Sequence, residues 1–306
     1  MTSPAALPVG RRARAEVPAT SANLGPGFDC LGLALTMSDQ VEAEVLVEGL
    51  EVEVSGQGAG RVPLDARHLV VRVLCRALDE LGHEAPGLRL VATNVVPHSR
   101  GLGSSASAIV AGIALAWGLA RPGEELDLNW ACRLSSELEG HPDNACAAVL
   151  GGIVLGHMEP GDDGRPGVQV VRLEPAEGLR CIVWVPEVEV PTAGARAVLP
   201  ETVPWADAIA QASSAALLVH ALTTDPEQLL RGTRDLLHQD RRAALMPDSA
   251  RLMGELRAHG VPAVISGAGP TVLAVGRSEQ LQAHEAVDQT GFVRHHLELG
   301  PGVQLS

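Results

Sequence analysis

Residues 97–107, PHSRGLGSSAS, lead directly into the alanine-rich segment AIVAGIALAWGLA at 108–120. The first segment offers backbone N–H groups and hydroxyls, and the second predicts a helix whose N-terminus lies against them. A loop of this kind at a helix N-terminus can bind an anion without using many cations. The alternative interpretation is a glycine turn followed by a helix that is capped by Ser104 or Ser105.

The composition predicts a packed soluble protein of one large domain or two ordinary ones. The chain has 306 residues, of which 46% are hydrophobic and 20% are charged. No apolar run follows the arginines near the N-terminus, and no run is long enough for a membrane span, so we expect neither a signal peptide nor a membrane helix. Five scattered cysteines without a CxxC pair indicate reduced thiols, which favours a cytoplasmic protein.

The charge balance argues against binding to nucleic acid. The formal net charge is −14, and the chain contains arginine but no lysine. An acidic chain without a basic stripe binds nucleic acid poorly, and the absence of lysine excludes the lysine-dependent P-loop. Any bound phosphate must therefore be met by a metal ion, by backbone dipoles and by a few arginines.

The order of predicted strands and helices lacks the regular alternation of a doubly wound sheet and indicates an α+β fold. Residues 41–54 alternate apolar and acidic side chains and predict two strands, while residues 69–81 have helical spacing. The polar stretch EPGDDGRPG at 159–167 predicts a domain boundary. We therefore expect two domains, residues 1–160 and residues 161–306.

A second helix is predicted from Asp127, as its N-terminal cap, to Glu139, with Gly140 ending it. Glu137 is expected to lie off the buried face of this helix. The residues expected to form that buried face are Ala131, Leu134, Ser135 and Leu138.

Three further segments combine glycine with polar side chains. They are VPATSANLGPGFDCLGLAL at 17–35, ELEGHPDNACAAVLGG at 137–152 and ISGAGPTVLAV at 265–275. Taken separately, each has an ordinary structural interpretation: a turn between strands, a solvated helix end and a hairpin. Their combination with the loop at 97–107 is more specific.

The chain resembles the GHMP kinases, the superfamily of galactokinase, homoserine, mevalonate and phosphomevalonate kinases. PATSANLGPGFDCLGLAL at 18–35, PHSRGLGSSASAIVAGIALA at 97–116 and SGAGPTVLAV at 266–275 match its three motifs in order. Within the family, ELEGHPDN at 137–144 and PTAGARAVLP at 191–200 are similar to the homoserine kinases. The resemblance favours phosphate binding, rather than a simple helix cap, for the first loop.

The resemblance implies a two-domain GHMP kinase fold. Its N-terminal domain would be like domain 2 of ribosomal protein S5, its C-terminal domain would be ferredoxin-like, and the active site would lie between them. The implied reaction is ATP-dependent, Mg²⁺-assisted phosphorylation of the side-chain hydroxyl of L-homoserine to O-phospho-L-homoserine, in threonine biosynthesis. The expected partner is this small substrate, rather than nucleic acid or a membrane, and a homodimer is left open.

The resemblance also implies which residues hold the nucleotide and its metal. The hydroxyl of Ser105 would reach Mg²⁺, and a glutamate at a helix end would complete the site. Glu137 is our choice for that glutamate, with Glu139 as the alternative. The residues expected to bind ATP are Pro97, His98, Ser99, Arg100, Gly101, Leu102, Gly103, Ser104, Ser105, Ala106 and Ser107.

The same resemblance implies an acceptor site for the amino acid. Asp29 would take the ammonium group, and arginines suit the carboxylate because their planar fork can bind it bidentately. The expected substrate-binding residues are Asn23, Asp29, His141, Asp143, Arg196, Arg242 and Gly267. The expected catalytic residues are Ser105, Glu137, Asp143, Asn144, Thr192, which would orient the hydroxyl or the γ-phosphate, and Arg196.

Three points stay open at the level of the sequence. No general base stands out, and Asp143 and His141 are both candidates. A GHMP kinase that acts on a different small alcohol is the main enzymatic alternative. A family member without catalytic activity, acting as a ligand sensor, is the alternative of another class.

Overall fold

The structure is a computed structural model that describes residues 4–160 and 166–306; the side chains of Pro160, Pro166, Thr192 and Ala193 lie outside the described part. The strands are β1 (Ala5–Ala6), β2 (Arg12–Ala22), β3 (Leu31–Leu46), β4 (Gly49–Gly56), β5 (His83–Glu84), β6 (Gly87–Asn94), β7 (Ile153–Pro160), β8 (Pro166–Leu173), β9 (Arg180–Pro186), β10 (Ala263–Ile265), β11 (Val272–Gly276), β12 (Phe292–Leu297) and β13 (Gln304–Leu305).

Helices connect these strands without regular alternation, which confirms the α+β class. They are α1 (Leu69–Glu80), α2 (Ser104–Ala120), α3 (Leu128–Glu139), α4 (Pro142–Leu150), α5 (Thr192–Ala197), α6 (Trp205–Thr223), α7 (Leu229–Gly232), α8 (Gln239–Arg242), α9 (Pro247–Ala258) and α10 (Ser278–Leu281). Within the described ranges, no helix combines the length and the apolar character needed to cross a membrane.

Two sheets of different size organise the chain. The larger one has seven strands in the order β13-β2-β3-β6-β4, with β7 paired to β3 and β8 paired to β7. The smaller one has four strands in the order β10-β11-β9-β12, and a separate short pair joins β1 to β5. Strand β13, next to β2 in the larger sheet, follows all four strands of the smaller sheet along the chain.

Helix α2 lies inside the protein against α1, α3, α4 and strand β2. Residues on all of its sides are buried, including Ile109, Ile113 and Leu115. A helix that is apolar all round is one that has packing partners on every side. This burial fixes the position of the N-terminus of α2, where the glycine loop at 97–103 ends.

The predicted helix ends are confirmed where a local signal defines them. Helix α1 ends before Gly82, which has a φ of 77°. The side chain of Asp127 accepts hydrogen bonds from the backbone N–H groups of Asn129 and Trp130, and α3 ends at Gly140 in the left-handed conformation. The two strands expected in residues 41–54 are the end of β3 and the start of β4.

The predicted buried face of α3 is wrong in its last turn. Leu138 is 38% exposed, whereas Cys132 and Ser136 are buried. Ala131, Leu134 and Ser135 are buried as predicted, whereas Glu139 is only partly buried, like Glu137. Helix α3 packs against α4, α2 and β8, and the sequence of α3 alone does not define which residues of its last turn these contacts cover.

The polar stretch at 159–167 joins two strands of one hairpin. Strands β7 and β8 pair antiparallel from Ile153 with Leu173 to Pro160 with Pro166, and residues 161–165 between them lie outside the described part. The division into residues 1–160 and 161–306 stays a prediction. The strand pairing favours a later change of sheet, between Leu173 and Arg180.

Strand β3 and helix α4 approach so closely at Gly32 that a side chain has no room. A Cβ atom placed at Gly32 would overlap the backbone carbonyl group of Asp143. Neither side of this contact is a flexible side chain, so the backbone would have to move. Gly32 therefore fixes the distance between β3 and the start of α4.

We predict that Gly32→Ala lowers the free energy of unfolding by about 1–3 kcal/mol, because it overpacks this contact. The matched control is Gly254→Ala, since Gly254 is exposed in α9 and a methyl group added there would meet no other atom. That change should raise the free energy of unfolding by about 0.5–1 kcal/mol. Urea denaturation of both variants tests the pair, and equal stabilities would contradict the close approach.

Candidate active site

The three GHMP-like motifs meet around one cavity of about 140 Å³. Its lining includes Asn23 and Asp29 from the first motif, Gly101 and Ser105 from the second, and Gly267 from the third. Residues from the start of α4 and two arginines complete its walls. Parts of the chain that are far apart in sequence thus form one mixed-charge site.

The N-terminus of α2 opens on this cavity without a side-chain cap. Gly103 is the N-cap residue, with a φ of 69°, and no side chain caps the helix. The alternative in which Ser104 or Ser105 caps the helix is therefore wrong, because both residues are already inside it. The N–H groups of the first turn have no partner within a helix and favour an anion.

The expected ATP-binding residues fall into three groups. Ser99, Gly101, Gly103, Ser104 and Ser105 line the first cavity. His98 and Ser107, with Ser99, Ser104 and Ser105, line a second cavity beside it. The described side chains of Pro97, Leu102 and Ala106 line neither of these cavities, and Leu102 and Ala106 are fully buried in the core.

The side chain of Arg100 points to the chain after β9 and does not line the cavity. Its guanidinium donates to the carbonyl oxygens of Pro186 at 3.0 Å and Glu187 at 2.7 Å. It also lies 3.3 Å from the carboxylate of Glu189. Arg100 therefore ties the glycine loop to the smaller sheet, and its expected contact with ATP is limited to its backbone.

The glutamate beside Ser105 is Glu139, which favours this alternative over our choice of Glu137, and the metal role itself stays a prediction. Ser105 Oγ lies 3.1 Å from Glu139 Oε2, and both residues line the cavity. The Glu137 carboxylate is paired instead with Arg133, one turn earlier in α3, at 3.3 Å. The two glutamates are two residues apart in α3, so their side chains lie on different faces of the helix. Burial raises the pKa of Glu139, although its hydrogen bond to Ser105 lowers it.

The turn between α3 and α4 presents a hydrogen-bonded set of polar side chains. His141 Nδ1 lies 2.8 Å from Asp143 Oδ1, which also accepts the backbone N–H of Asn144 at 2.7 Å. The Asn144 side-chain oxygen accepts a hydrogen bond of 2.8 Å from Thr20. The bond to Asp143 raises the pKa of His141. All three predicted residues of this turn line the cavity.

Asp29 and Arg196 form an ion pair at the other end of the cavity. Arg196 Nη2 lies 2.7 Å and 2.9 Å from the two carboxylate oxygens of Asp29. Asn23 supports this arrangement, since its side chain accepts the Asp29 N–H at 2.9 Å and donates to Gly267 O at 2.9 Å. Asn23 and Asp29 both have positive φ angles, which indicates a constrained turn.

Arg242 is the second arginine of this end and is only 2% exposed. Its guanidinium donates to Ala195 O at 2.9 Å and lies 3.3 Å from Gly267 O. Burial lowers the pKa of Arg242, and the nearby charge of Arg196 lowers it further. The side chain of Thr192 lies outside the described part, so its predicted role stays a prediction.

A second cavity of about 290 Å³, not foreseen from the sequence, adjoins the glycine loop at 97–103. Its lining combines apolar side chains such as Val41 and Leu69 with polar ones that include Asp39, His68 and His98. His68 precedes α1, is 6% exposed, and its Nδ1 has no hydrogen-bond partner among the described residues. The polar residues come from three separate elements, so no spacing in the sequence marks this cavity.

Comparisons with known proteins agree with this geometry. Residues 68–152 match the family model of the GHMP kinase N-terminal domain, and residues 215–292 match that of the GHMP kinase C-terminal domain. The homoserine kinase of Cutibacterium acnes is 53% identical over 95% of this chain and 97% of its own. The homoserine kinase of Streptomyces coelicolor is 47% identical over 94% and 91%.

A solved structure extends the comparison to three dimensions. The crystal structure of homoserine kinase from Cytophaga hutchinsonii has a TM-score of 0.82 and 27% identity, over 97% of this chain and 98% of that one. The match spans both sheets, so the predicted two-domain architecture is confirmed. The chain belongs to the GHMP kinase family, within its homoserine kinases.

Proposed function

We propose that this protein transfers the γ-phosphoryl group of ATP to the side-chain hydroxyl of L-homoserine, which yields O-phospho-L-homoserine for threonine biosynthesis. One observation carries the proposal: a single cavity joins an uncapped helix N-terminus to an end that holds both a carboxylate and two arginines. The first end suits phosphate and the second suits a zwitterionic amino acid. The five cysteines, all free thiols, suit a reducing cytoplasm.

The nucleotide would span the two adjoining cavities. Its phosphates would lie against the backbone of residues 99–105, where the first-turn N–H groups and the helix dipole favour negative charge. Its base would lie in the second cavity, against apolar side chains such as Val41 and Leu69. This cavity shares Ser99, Ser104 and Ser105 with the first. The unpartnered Nδ1 of His68 offers a hydrogen bond to the edge of that base.

Ser105 and Glu139 fit a magnesium ion that accompanies the nucleotide. Mg²⁺ prefers oxygen ligands and usually keeps water and phosphate oxygens in its coordination sphere. The Ser105 hydroxyl and Glu139 carboxylate are two oxygen donors 3.1 Å apart at the phosphate end of the cavity. When bound there, the ion would neutralise charge on the phosphates.

The amino acid would replace the direct contact between Asp29 and Arg196. Its ammonium group would pair with Asp29, and its carboxylate would pair with Arg196 and the buried Arg242. The ammonium group then replaces Arg196 as the partner of Asp29, and the carboxylate replaces Asp29 as the partner of Arg196. Neither side chain is therefore left unpaired. Mevalonate, the acceptor of a related kinase, has a carboxylate but no ammonium group for Asp29.

The chain would then accelerate transfer mainly by positioning and by charge stabilisation. The Asp143 carboxylate already accepts two hydrogen bonds, from His141 and from the backbone of Asn144. We therefore assign Asp143 and Asn144 to shaping the acceptor end. The deprotonation of the hydroxyl is not assigned to either His141 or Asp143.

Release of ADP with a panel of acceptors tests the proposed function. We expect turnover with L-homoserine, and little with mevalonate, shikimate or galactose, since none of these carries both charges of an amino acid. Turnover of mevalonate with L-homoserine inert would overturn the proposed acceptor. No ATP turnover with any acceptor would instead favour the ligand-sensor interpretation.

Removal of the Ser105 hydroxyl or the Glu139 charge should slow phosphoryl transfer. For Ser105→Ala and Glu139→Gln we expect kcat to fall by about 10²–10³, the typical effect of removing one stabilising group from an active site. Glu137→Gln is the matched control, because its partly exposed pair with Arg133 contributes little. Steady-state rates at saturating ATP decide between the two glutamates, and an inactive Glu137→Gln with an active Glu139→Gln would reverse the assignment.

Arg196→Ala should weaken the binding of L-homoserine and leave the KM of ATP almost unchanged. A charge-assisted hydrogen bond is worth about 1.5–3 kcal/mol, which is roughly a ten- to hundredfold loss in kcat/KM for L-homoserine. Arg196→Lys should rescue only part of this loss, since an ammonium lacks the planar fork. An equal loss in kcat/KM for an acceptor without a free carboxylate would place Arg196 on the phosphates. A large change in the KM of ATP alone would do the same.

His68→Leu should raise the KM of ATP by about two- to tenfold, which corresponds to one hydrogen bond of about 0.5–1.5 kcal/mol. The KM of L-homoserine should not change. His83→Leu is the matched control, because His83 Nδ1 is also unpartnered among the described residues but lies outside both cavities. Equal KM values of ATP for the two variants would show that the base does not contact His68.

A further inference from the structure

The lining of the first cavity is polar or small apart from one aromatic ring. Among the described residues that form its wall, Phe28 is the only apolar side chain larger than alanine. Phe28 is half-buried and lies between Gly27 and Asp29, in the first motif. The chain contains only two phenylalanines and no tyrosine. An aromatic ring in this polar cavity therefore calls for a specific explanation.

Both arginines of the acceptor end lie over this ring. The guanidinium carbon of Arg196 is 5.4 Å from the centroid of the Phe28 ring, and that of Arg242 is also 5.4 Å from it. Cations within about 6 Å of a ring centroid are attracted by the negative charge of the ring face. Two guanidinium groups repel each other, and the nearby charge of Arg196 contributes to the lowered pKa of Arg242. The shared ring offsets part of this repulsion.

The Phe28 ring also contacts the ring of His238. The two ring centroids are 5.0 Å apart, and His238 is 1% exposed. His238 Nε2 lies 2.8 Å from Gly25 O, and His238 Nδ1 lies 3.2 Å from Arg242 Nη1. Arginine has no acceptor, so His238 Nδ1 accepts and His238 Nε2 donates to Gly25. One buried histidine thus connects the turn that carries Phe28 to Arg242.

We propose that Phe28 is a positioning residue of the substrate clamp, whose ring fixes the spacing of the Arg196 and Arg242 guanidinium groups for one carboxylate. The proposal rests on the proposed function, because the carboxylate is that of L-homoserine. It assigns to Phe28 a selective effect on acceptors with a free carboxylate. Without the ring, the partly exposed Arg196 loses a contact that orders it before the substrate binds.

Phe28→Leu tests the role of the ring, because it keeps an apolar side chain and removes the aromatic face. Two cation–π contacts of about 0.5–1 kcal/mol each correspond to a rise of about five- to thirtyfold in the KM of L-homoserine. We expect kcat to stay within about threefold and the KM of ATP to stay unchanged. Phe28→Tyr keeps the face and should behave like the wild type.

Three controls separate this role from a structural one. Phe292→Leu makes the same change in the other phenylalanine, which lies in β12 outside the cavity, and should leave both KM values unchanged. The amide of L-homoserine, which lacks the carboxylate, should react poorly and equally with the wild type and Phe28→Leu. For the double variant Phe28→Leu/Arg196→Ala, the fold loss in kcat/KM for L-homoserine should be smaller than the product of the two single losses.

Turnover of L-homoserine by the wild type tests the proposed function, and the ratio of variant to wild type tests Phe28. An unchanged KM in Phe28→Leu overturns the proposal, as does a loss in Phe28→Tyr equal to that in Phe28→Leu. A rise in KM that is the same for L-homoserine and its amide also overturns the proposal, since the ring would then serve the fold. A wild type without homoserine turnover overturns both proposals together.

Discussion

The candidate active site depends on the contact of its three glycine-containing motifs at Ser266. Ser266 Oγ lies 2.5 Å from Gly101 O in the second motif and 2.7 Å from Ser21 Oγ in the first. A hydroxyl can donate to the carbonyl and accept from the other hydroxyl, so one buried side chain satisfies both neighbours. Gly101 has no room for a Cβ atom because the Ser266 carbonyl lies against it. The glycine loop at 97–103 is therefore tied to β2 of the larger sheet and to the turn after β10 of the smaller one.

The proposed function requires an acidic chain without lysine to hold a triphosphate. Its positive charge is placed at the acceptor end, on Arg196 and Arg242, and Arg100 is used to tie the loop to the smaller sheet. The proposed phosphate end relies on the N-terminus of α2, which has no side-chain cap and whose N–H groups are fixed by burial of the helix. A fixed dipole needs no reorganisation when charge moves during transfer. The net charge of −14 is compatible with this site because the relevant charges are local.

The sequence predicts those features that local chemistry defines, and fails where packing between elements decides. Asp127 and Gly140 mark the ends of α3 in the sequence, because a cap and a left-handed glycine are local signals. The choice between Glu137 and Glu139 depends on which face of α3 meets Ser105 at the start of α2, and packing between the helices decides that. The resemblance brought Asp29 and Arg196 to one cavity, as the structure shows, although their direct ion pair was not foreseen. The second cavity and Phe28 were missed, because only the folded chain brings their neighbours together.

We propose above all that one cavity binds the triphosphate and the amino acid end to end. A crystal structure with L-homoserine, Mg²⁺ and a non-hydrolysable ATP analogue tests this most directly. The account predicts the γ-phosphate against residues 101–105 and the substrate hydroxyl facing it. It also predicts the ammonium group at Asp29 and the carboxylate between Arg196 and Arg242, with the Asp29–Arg196 pair opened. A triphosphate that does not touch the start of α2, or an amino acid whose carboxylate contacts neither arginine, would contradict the account.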